Sequence, residues 1–232
     1  GSTTAEVFNT LDESASRTEE WVIKNQKYIF IIVGLAAVLV LGYLGFSKYI
    51  QEPKESQATN DLFQSQQYFD QAVNGASKDS LFTLSLNGFD GKYGFIDISN
   101  TYGGTEAGNL ANYYAGLSYL KLKQYDKAVE FLSKFSSDDI GVGPVALGAI
   151  GDAFADINQF NDAVEYYLKA TKKVNNYTTP LFLFKAAQLS MNLKDYDKAL
   201  DLFKRIKSDF PKSYQAGEIE KYISSAEFAA KN

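Results

Sequence analysis

A run of twenty residues without a charged side chain limits what this part of the chain can fold into. The run extends from Tyr28 to Ser47, lies between Lys27 and Lys48, and reads YIFIIVGLAAVLVLGYLGFS. At about 1.5 Å per residue, a helix of this length spans roughly 30 Å, the thickness of the hydrocarbon core of a bilayer, where a backbone must satisfy its own hydrogen bonds. The run therefore predicts a transmembrane helix over residues 28–49, in preference to a buried helix of a soluble protein or a cleaved signal peptide.

Basic residues on either side of this run indicate its orientation. Three precede it and two follow it closely: Arg17, Lys24 and Lys27, then Lys48 and Lys54. The positive-inside rule favours a cytoplasmic N-terminus by this difference of one charge. Residues 1–27 are then expected in the cytoplasm, and the residues that follow the helix on the other side of the membrane.

Composition narrows the chemistry that the chain can perform. Its 232 residues include no cysteine and no histidine, and their formal net charge is −5. Imidazole bases, thiolate nucleophiles, cysteine–histidine zinc sites and disulfides each require one of the missing side chains, and a nucleic-acid binder usually carries a basic excess. No recognised motif places a nucleophile beside an activating base. The sequence therefore favours an interaction protein over an enzyme, and predicts no cofactor, metal or nucleic-acid partner.

Two glycine-rich stretches have the composition of ligand-binding loops without their spacing. Neither Gly88 to Gly94 nor Tyr102 to Gly108 continues into the Gly-Lys-Ser/Thr sequence of a phosphate loop. Asn87, Asp90 and Asp97 do not alternate as the ligands of a calcium loop do. Both stretches are therefore expected to form turns and helix caps.

A short pattern occurs three times in the second half of the chain. It reads QYDKA, QFNDA and DYDKA, and its final alanines are 35 and then 36 residues apart: Ala128, Ala163 and Ala199. Twelve residues before each alanine stands a second small residue: Gly116, Gly151 or Ala187. Helix axes about 8 to 10 Å apart leave no room for a large side chain at their contact. The pattern therefore predicts three helix pairs that cross at these small residues.

This pattern resembles the tetratricopeptide repeat, a helix–turn–helix unit of about 34 residues. The resemblance implies an all-α fold in which a tetratricopeptide-repeat α-solenoid of three repeats, residues 109–213, follows the N-terminal transmembrane helix. A linker over residues 50–56 and a degenerate leading helix pair with a loop insertion over residues 57–108 precede the repeats, and a C-terminal capping helix over residues 214–232 follows them. The third repeat has Ser190 where the family has an aromatic residue, which predicts looser packing there.

Helical periodicity divides the region before the repeats. It predicts one helix from Gln57 to Val73, a short amphipathic turn of helix from Ser80 to Leu86, and a second helix from Phe95 to Tyr102, with a possible break at Pro53. The first helix is expected to share one phase among its larger side chains: Leu62, Phe63, Gln66, Tyr68, Phe69 and Val73.

The resemblance also implies a binding surface, because the first helix of each pair lines the inner groove of such arrays. Seven residues are expected to face inward: Tyr113, Leu117, Lys121, Asp152, Asp156, Phe184 and Gln188. The Lys, Asn and Arg pattern of the carboxylate-clamp repeats is missing, so an acidic C-terminal peptide is not the expected ligand. The aromatic and acidic lining suits an extended or helical apolar segment with some positive charge. Alternatively, Tyr113 and Phe184 pack within the solenoid.

The whole arrangement resembles the YfgM-like family of bacterial inner-membrane proteins. The stretch Gly108 to Gly116, GNLANYYAG, is similar to the first repeat of its Bacteroidota-type members. The resemblance implies a single-pass protein that contacts the lipid bilayer through residues 28–47 and holds its repeats in the periplasm. It further implies a non-enzymatic ancillary subunit of the SecYEG translocon that works beside a PpiD-like membrane-anchored chaperone on exported polypeptides.

Two other functions fit the same architecture. One is a scaffold subunit of another cell-envelope or secretion machine, and the other is a holdase-type chaperone without a fixed partner. All three bind protein and use no cofactor.

Overall fold

The computed structural model describes residues 4–75 and 78–231, and the chain divides into two compact units between Pro53 and Lys54. All the regular elements of the described residues are helices. In the N-terminal unit, α1 extends over Thr4–Phe46 and a π-helical turn follows over Ser47–Gln51. One helical stretch of the described residues is long and apolar enough to cross a membrane, and an 18-residue window within it has a mean hydropathy of 2.7 and no buried residue.

Residues 50–56, expected as a linker, are helical. The π-helical turn leads into α2, Glu52–Asn74, and Pro53 lies in the first turn of that helix. A proline has no N–H, and its ring collides with the carbonyl four residues earlier in a regular helix. Here the backbone N–H of Glu52 donates to the carbonyl of Ser47, five residues back, and this wider turn accommodates the proline without ending the helix.

Three helices precede the repeats, where the sequence predicts a pair and a short turn: α2, α3 over Lys78–Asn87, and α4 over Phe95–Thr101. The segment from Ser80 to Leu86 belongs to a full helix because Phe82, Ser85 and Leu86 form one buried stripe on it. α3 packs against α4 and α5. It therefore belongs to the core of this region.

The buried face of α2 differs from the predicted one. Its buried residues recur at intervals of four and three: Ala58, Leu62, Ser65, Phe69 and Ala72. Phe63 and Val73, which the sequence places in the same phase, are exposed. Alanine and serine contribute little to a hydropathy pattern, so the larger residues beside the true stripe shift the apparent phase.

The glycine-rich stretches form turns and a helix cap, as expected. Gly88 and Gly91 have positive φ angles of 74° and 72°, which glycine adopts at little cost. Thr105 precedes α5, and its hydroxyl oxygen accepts a hydrogen bond from the backbone N–H of Gly108 at 2.9 Å. This is the hydrogen bond that a threonine N-cap provides.

Three helix pairs follow: α5 (Glu106–Lys121) with α6 (Tyr125–Lys134), α7 (Val142–Asp156) with α8 (Phe160–Ala170), and α9 (Thr178–Asn192) with α10 (Tyr196–Asp209). The two helices of each pair pack on each other at the predicted small residues. A β-carbon added at Gly116 would lie 2.4 Å from Leu132 Cγ, and one added at Gly151 would lie 2.6 Å from the ring of Tyr167. The requirement for a small residue is thereby confirmed at Gly116 and Gly151.

The same turn joins the helices of each pair. Lys123, Asn158 and Lys194 occupy equivalent positions in it and have φ angles of 58°, 62° and 61°. In each turn, the N–H of the next residue donates to a carbonyl five residues earlier, at 2.9 Å. This is the Schellman arrangement, which favours glycine at the left-handed position and tolerates asparagine.

Lys123→Gly and Lys194→Gly should therefore each raise the free energy of unfolding by about 0.5–1 kcal/mol, because a β-carbon is strained in the left-handed region. The matched control is Asn158→Gly, which should gain less because asparagine already tolerates this conformation. Urea unfolding measures all three variants. An equal increase in the free energy of unfolding at the three positions would contradict the view that the gain comes from relieving backbone strain.

The chain ends in a 3₁₀ helix, Tyr214–Glu218, and α11, Ile219–Ala230. α11 packs against α10 and buries Ile219, Ile223 and Ala226. Tyr214, which the sequence includes in the capping helix over residues 214–232, lies in the 3₁₀ helix instead and is exposed. In α9, Ser190 is buried, and its hydroxyl oxygen has no hydrogen-bond partner within the described part of the chain.

Candidate protein-binding groove

The first helices of the three pairs form one face of the repeat region. α5 contacts α7 and α7 contacts α9, whereas no comparable contact joins α6 to α8 or α8 to α10 among the described residues. The first helices are therefore closer together than the second helices. We call the surface of α5, α7 and α9 the first-helix face.

Three cavities on this face share lining residues, and we call them together the groove. Their volumes are about 420, 510 and 760 Å³, and Lys185 lines all three. The first cavity lies at the C-terminal ends of α5 and α7, the second on α9, and the third between α9, the 3₁₀ helix and α11. Charged and aromatic side chains line the groove together with the amide of Gln188: Lys121, Lys123, Tyr125, Asp152, Asp156, Tyr167, Phe184, Lys185, Phe203, Tyr214, Glu218 and Tyr222.

A fixed polar cluster joins the first two cavities. Lys185 Nζ lies 2.7 Å and 3.0 Å from the two carboxylate oxygens of Asp152, and the Tyr167 hydroxyl donates to the same carboxylate at 2.6 Å. Burial, followed by this hydrogen bond and the charge of Asp152, raises the pKa of Tyr167. Because Lys185 neutralises Asp152, this pair adds little net charge to the groove.

The α5 end of the groove has mixed charge. Asp156 is hydrogen-bonded to the hydroxyl of Tyr125, whose pKa is raised by desolvation and then by the charge of Asp156. Two exposed lysines, Lys121 and Lys123, line the same cavity. With Asp152 neutralised by Lys185, this end offers two positive charges against one negative charge. The lining is therefore less acidic than the sequence suggests.

Five of the seven residues expected in the groove line it: Lys121, Asp152, Asp156, Phe184 and Gln188. Tyr113 and Leu117 instead pack within the array. The Tyr113 ring lies 5.1 Å from that of Phe135, and burial raises its pKa. Leu117 packs against two of the buried clusters.

Phe184 has both of the roles that the sequence left open. It lines the third cavity, and its ring packs edge-on against Tyr222 at 4.8 Å and lies 5.9 Å from Phe203. Its replacement by a charged residue would therefore disturb folding as well as any ligand. Exposed Gln188 is a better position at which to test binding.

Sequence reasoning missed Lys185 and Tyr222. Lys185 follows Phe184 directly, but its role depends on reaching Asp152 in the preceding pair, which the repeat phase alone does not show. Tyr222 lies in α11, outside the repeats, so the repeat pattern cannot assign it to the groove. The apolar periodicity of α11 identifies Tyr222 only as a packing residue.

A second cleft, of about 790 Å³, lies between α2, the start of α5 and the loop after α6. Here the carboxylate of Glu55 accepts hydrogen bonds from the backbone N–H groups of Glu106 and Ala107, at 2.7 Å and 2.9 Å. A carboxylate is favourable at a helix N-terminus, where the first N–H groups have no partner within the helix. Glu55 thus ties α2 to the first repeat.

Two buried tyrosine hydroxyls are expected to lower the stability of the array at alkaline pH. Tyr102 donates to Asp61, and this hydrogen bond followed by desolvation raises the pKa of Tyr102 to about 12, while the pKa of Tyr167 is also raised. A raised pKa contributes stability that is complete below the unfolded value of 10.0 and is lost as the pH rises through the folded value.

Stability should therefore fall as the pH rises from about 10 to 12. Absorbance of tyrosinate and circular dichroism, followed together, should show exposed tyrosines ionising first and a delayed group ionising as the array unfolds. Tyr167→Phe should reduce the part of the tyrosinate absorbance that rises late, together with unfolding. Ionisation of all tyrosines in one step, with the fold intact, would contradict this account.

Two family profiles described as tetratricopeptide repeat match the chain, one at residues 110–138 and the other at residues 149–214. The first match covers most of α5 and all of α6, and the second extends from within α7 through α10. No curated protein sequence matches the chain.

Proposed function

From the tetratricopeptide repeats that this chain contains at residues 110–138 and 149–214, we propose that it is a non-enzymatic scaffold that binds another polypeptide in the groove. The three helix pairs act as a short solenoid that α11 caps, as solenoids require where an end repeat would expose its apolar face. The observation that supports the proposal is the set of adjoining cavities on the first-helix face, with the Asp152–Lys185 pair where two of them meet.

The groove suits an extended segment that carries both apolar and charged side chains. Phe184, Tyr214 and Tyr222 provide aromatic surface at the α11 end, while Lys121 and Asp156 provide opposite charges at the α5 end. Aromatic rings give contact area, and paired charges orient a ligand more than they strengthen its binding. The groove thus provides an apolar subsite and a polar one.

We propose further that the chain is anchored in the bacterial inner membrane through residues 28–47, with its N-terminus in the cytoplasm and its repeats in the periplasm. The exposed apolar surface of α1 supports insertion into lipid, and the flanking basic residues favour this direction. Anchoring keeps the groove near membrane partners and raises its effective concentration there.

Protease added to spheroplasts should then digest the repeats, and should leave them intact in sealed cells. Protection of the repeats in both preparations would place them in the cytoplasm and contradict the proposed orientation.

The partner that we favour is the SecYEG translocon, with a PpiD-like membrane-anchored chaperone and exported polypeptides beside it. The resemblance to YfgM-like proteins of the Bacteroidota type supports this choice, because it covers the order of span, link and acidic repeats. A scaffold of another cell-envelope or secretion machine shares the groove and the anchor. A holdase-type chaperone also shares them and differs in having no fixed partner.

Affinity purification of the full chain in mild detergent, followed by mass spectrometry, distinguishes these functions. Stoichiometric SecY supports the translocon, another assembly supports a different machine, and a heterogeneous set of clients supports a holdase. Gln188→Arg, an exposed change in the groove, should reduce recovery of the partner, whereas the matched change Gln67→Arg on the exposed side of α2 should not. Equal recovery with both variants would exclude the groove as the binding surface.

A further inference from the structure

The two edges of the repeat region differ in the side chains that they expose. The loops at residues 135–141 and 171–177, which join successive helix pairs, form what we call the loop edge. Ile140, Val174 and Tyr177 there are 63 %, 61 % and 86 % exposed. The turns within the pairs form the opposite turn edge, where the described exposed residues are polar or charged except Leu193: Lys123, Gln124, Asn158, Gln159, Lys194 and Asp195.

Asn175 joins the two loops of the loop edge through hydrogen bonds. The Asn175 side-chain amide donates to the carbonyl of Ile140 at 2.7 Å, and its side-chain oxygen accepts from the N–H groups of Tyr177 and Thr178 at 2.9 Å and 2.7 Å. Lys173 Nζ adds a hydrogen bond to the carbonyl of Ser137 at 2.8 Å. The exposed apolar side chains are thus held on an ordered backbone.

Several backbone groups beside these side chains are paired, which matters for contact with an apolar phase. Asp139 accepts hydrogen bonds from the N–H groups of Val142 and Gly141, both at 2.7 Å, and these bonds lower its pKa. The carbonyl of Ile140 is paired with Asn175. An unpaired backbone group costs free energy in an apolar environment, so this arrangement reduces the cost of approaching lipid.

Glu55 of α2 lies at the loop edge. Glu55 caps the start of α5, and Asn109, in the first turn of α5, is hydrogen-bonded to Ser136 in both directions, at 2.7 Å and 3.0 Å. Residues Glu55, Ser136 and Val142 also line the same cleft. The point where the chain enters the array from residues 28–47 is therefore adjacent to the exposed apolar loops.

Chain connectivity limits how far the loop edge can lie from a bilayer that contains residues 28–47. Glu55 comes eight residues after Ser47. Eight residues reach about 12 Å as a helix and at most about 28 Å when extended. The apolar loops are thus tethered close to a lipid surface, whichever conformation the connection adopts.

We propose that the loop edge rests on the bilayer surface, with Ile140, Val174 and Tyr177 in its interfacial layer. This inference depends on the membrane anchoring proposed above. Tyrosine and aliphatic side chains are typical of that layer. Lys172 and Lys173 are balanced by Asp138 and Asp139, so apolar insertion holds the contact and attraction to anionic lipid does not.

The contact would fix the groove relative to the membrane. α7 runs from the loop edge to the turn edge, and its fifteen residues give it a length of about 22 Å. The first cavity of the groove lies at its C-terminal end, beside Asp156. The first cavity would therefore lie about one helix length from the headgroups, whereas the third cavity, which Leu181 and Tyr214 line, would lie nearer to them.

The chain has no cysteine, so single-cysteine variants can carry an environment-sensitive fluorophore without removing native thiols. The full chain, labelled at Tyr177→Cys, is reconstituted in nanodiscs of phosphatidylethanolamine and phosphatidylglycerol, with and without nitroxide-bearing lipids. Asn158→Cys at the turn edge is the matched exposed control, and Leu39→Cys in α1 reports insertion. Emission at position 177 should shift to shorter wavelength and be quenched by the nitroxide lipids, while position 158 remains unquenched.

The outcomes separate this inference from the anchoring itself. Quenching at position 39 with position 177 as water-exposed as position 158 overturns the loop-edge contact and leaves the anchor intact. No quenching at position 39 overturns both. Short-wavelength emission at position 177 without lipid quenching shows that protein covers the loop edge, and also overturns the proposal. Val174→Cys repeats the measurement at a second exposed position, in case the first label disturbs the loop.

Discussion

Gly151→Val should lower the free energy of unfolding of the repeat region by about 3 kcal/mol, an effect at the upper end of the range for overpacked cores. Gly151 lies where α7 crosses α8, and a β-carbon there would be 2.6 Å from two ring atoms of Tyr167. Tyr167 is itself buried and hydrogen-bonded to Asp152, so it cannot move aside without disturbing the groove. Urea unfolding, monitored through the near-ultraviolet circular dichroism of the tyrosines, measures the loss of stability.

Gly217→Val is the matched control for this change. Gly217 is exposed in the 3₁₀ helix, and a β-carbon there meets no atom within 4 Å. Its replacement should change stability by less than about 0.5 kcal/mol, as is usual for exposed positions. Similar losses at the two glycines would show that valine acts through the backbone and would contradict the steric account of the helix crossing.

Phe203→Ala should lower the free energy of unfolding by about 3–5 kcal/mol, the usual cost of truncating a buried phenylalanine. Phe203 is fully buried in α10, with its ring 5.9 Å from that of Phe184 and 5.5 Å from that of Tyr222. Its loss leaves a cavity between the last repeat and α11. The same variant should weaken partner binding, because Phe184 and Tyr222 also line the groove.

Phe228→Ala is the matched control, because it removes an aromatic ring from α11 without removing buried packing. The Phe228 side chain is 71 % exposed, so its truncation should cost less than about 0.5 kcal/mol. Urea unfolding again provides the measurement. A loss at Phe203 no larger than that at Phe228 would mean that α11 does not depend on this cluster.

The repeats could be predicted from the sequence because their packing rule is local. Ala128, Ala163 and Ala199 recur at nearly constant spacing, and each must be small where two helices touch. Such a requirement produces small residues at regular intervals along the sequence. The apolar run that forms part of α1 could be predicted for the same reason, because its length and its lack of charged residues are properties of one continuous segment.

Features that depend on contacts between distant segments could not be predicted in the same way. The buried stripe of α2 includes Ser65, whose hydroxyl donates to the carbonyl of Tyr93, and a hydropathy pattern does not count such a residue. Pro53 indicates a helix break unless the wider turn before it is known.

The groove was predictable only in part for a similar reason. The family layout assigns Asp152, Gln188 and Tyr113 to the groove, and the first two line its cavities. Tyr113 instead packs within the array, because the ring of Phe135, in the loop after α6, lies beside its own ring. The centre of the groove depends on Lys185, whose partner Asp152 lies 33 residues earlier.

Site-specific photo-crosslinking in cells tests the central claim that another polypeptide lies in the groove. A photoreactive amino acid at Gln188, which lines two of its cavities, should crosslink the full-length chain to a second protein. The same amino acid at Glu165, exposed on the second helix α8, is the control and should give no such product. Crosslinks from Glu165 and none from Gln188, with both variants folded, would contradict the account.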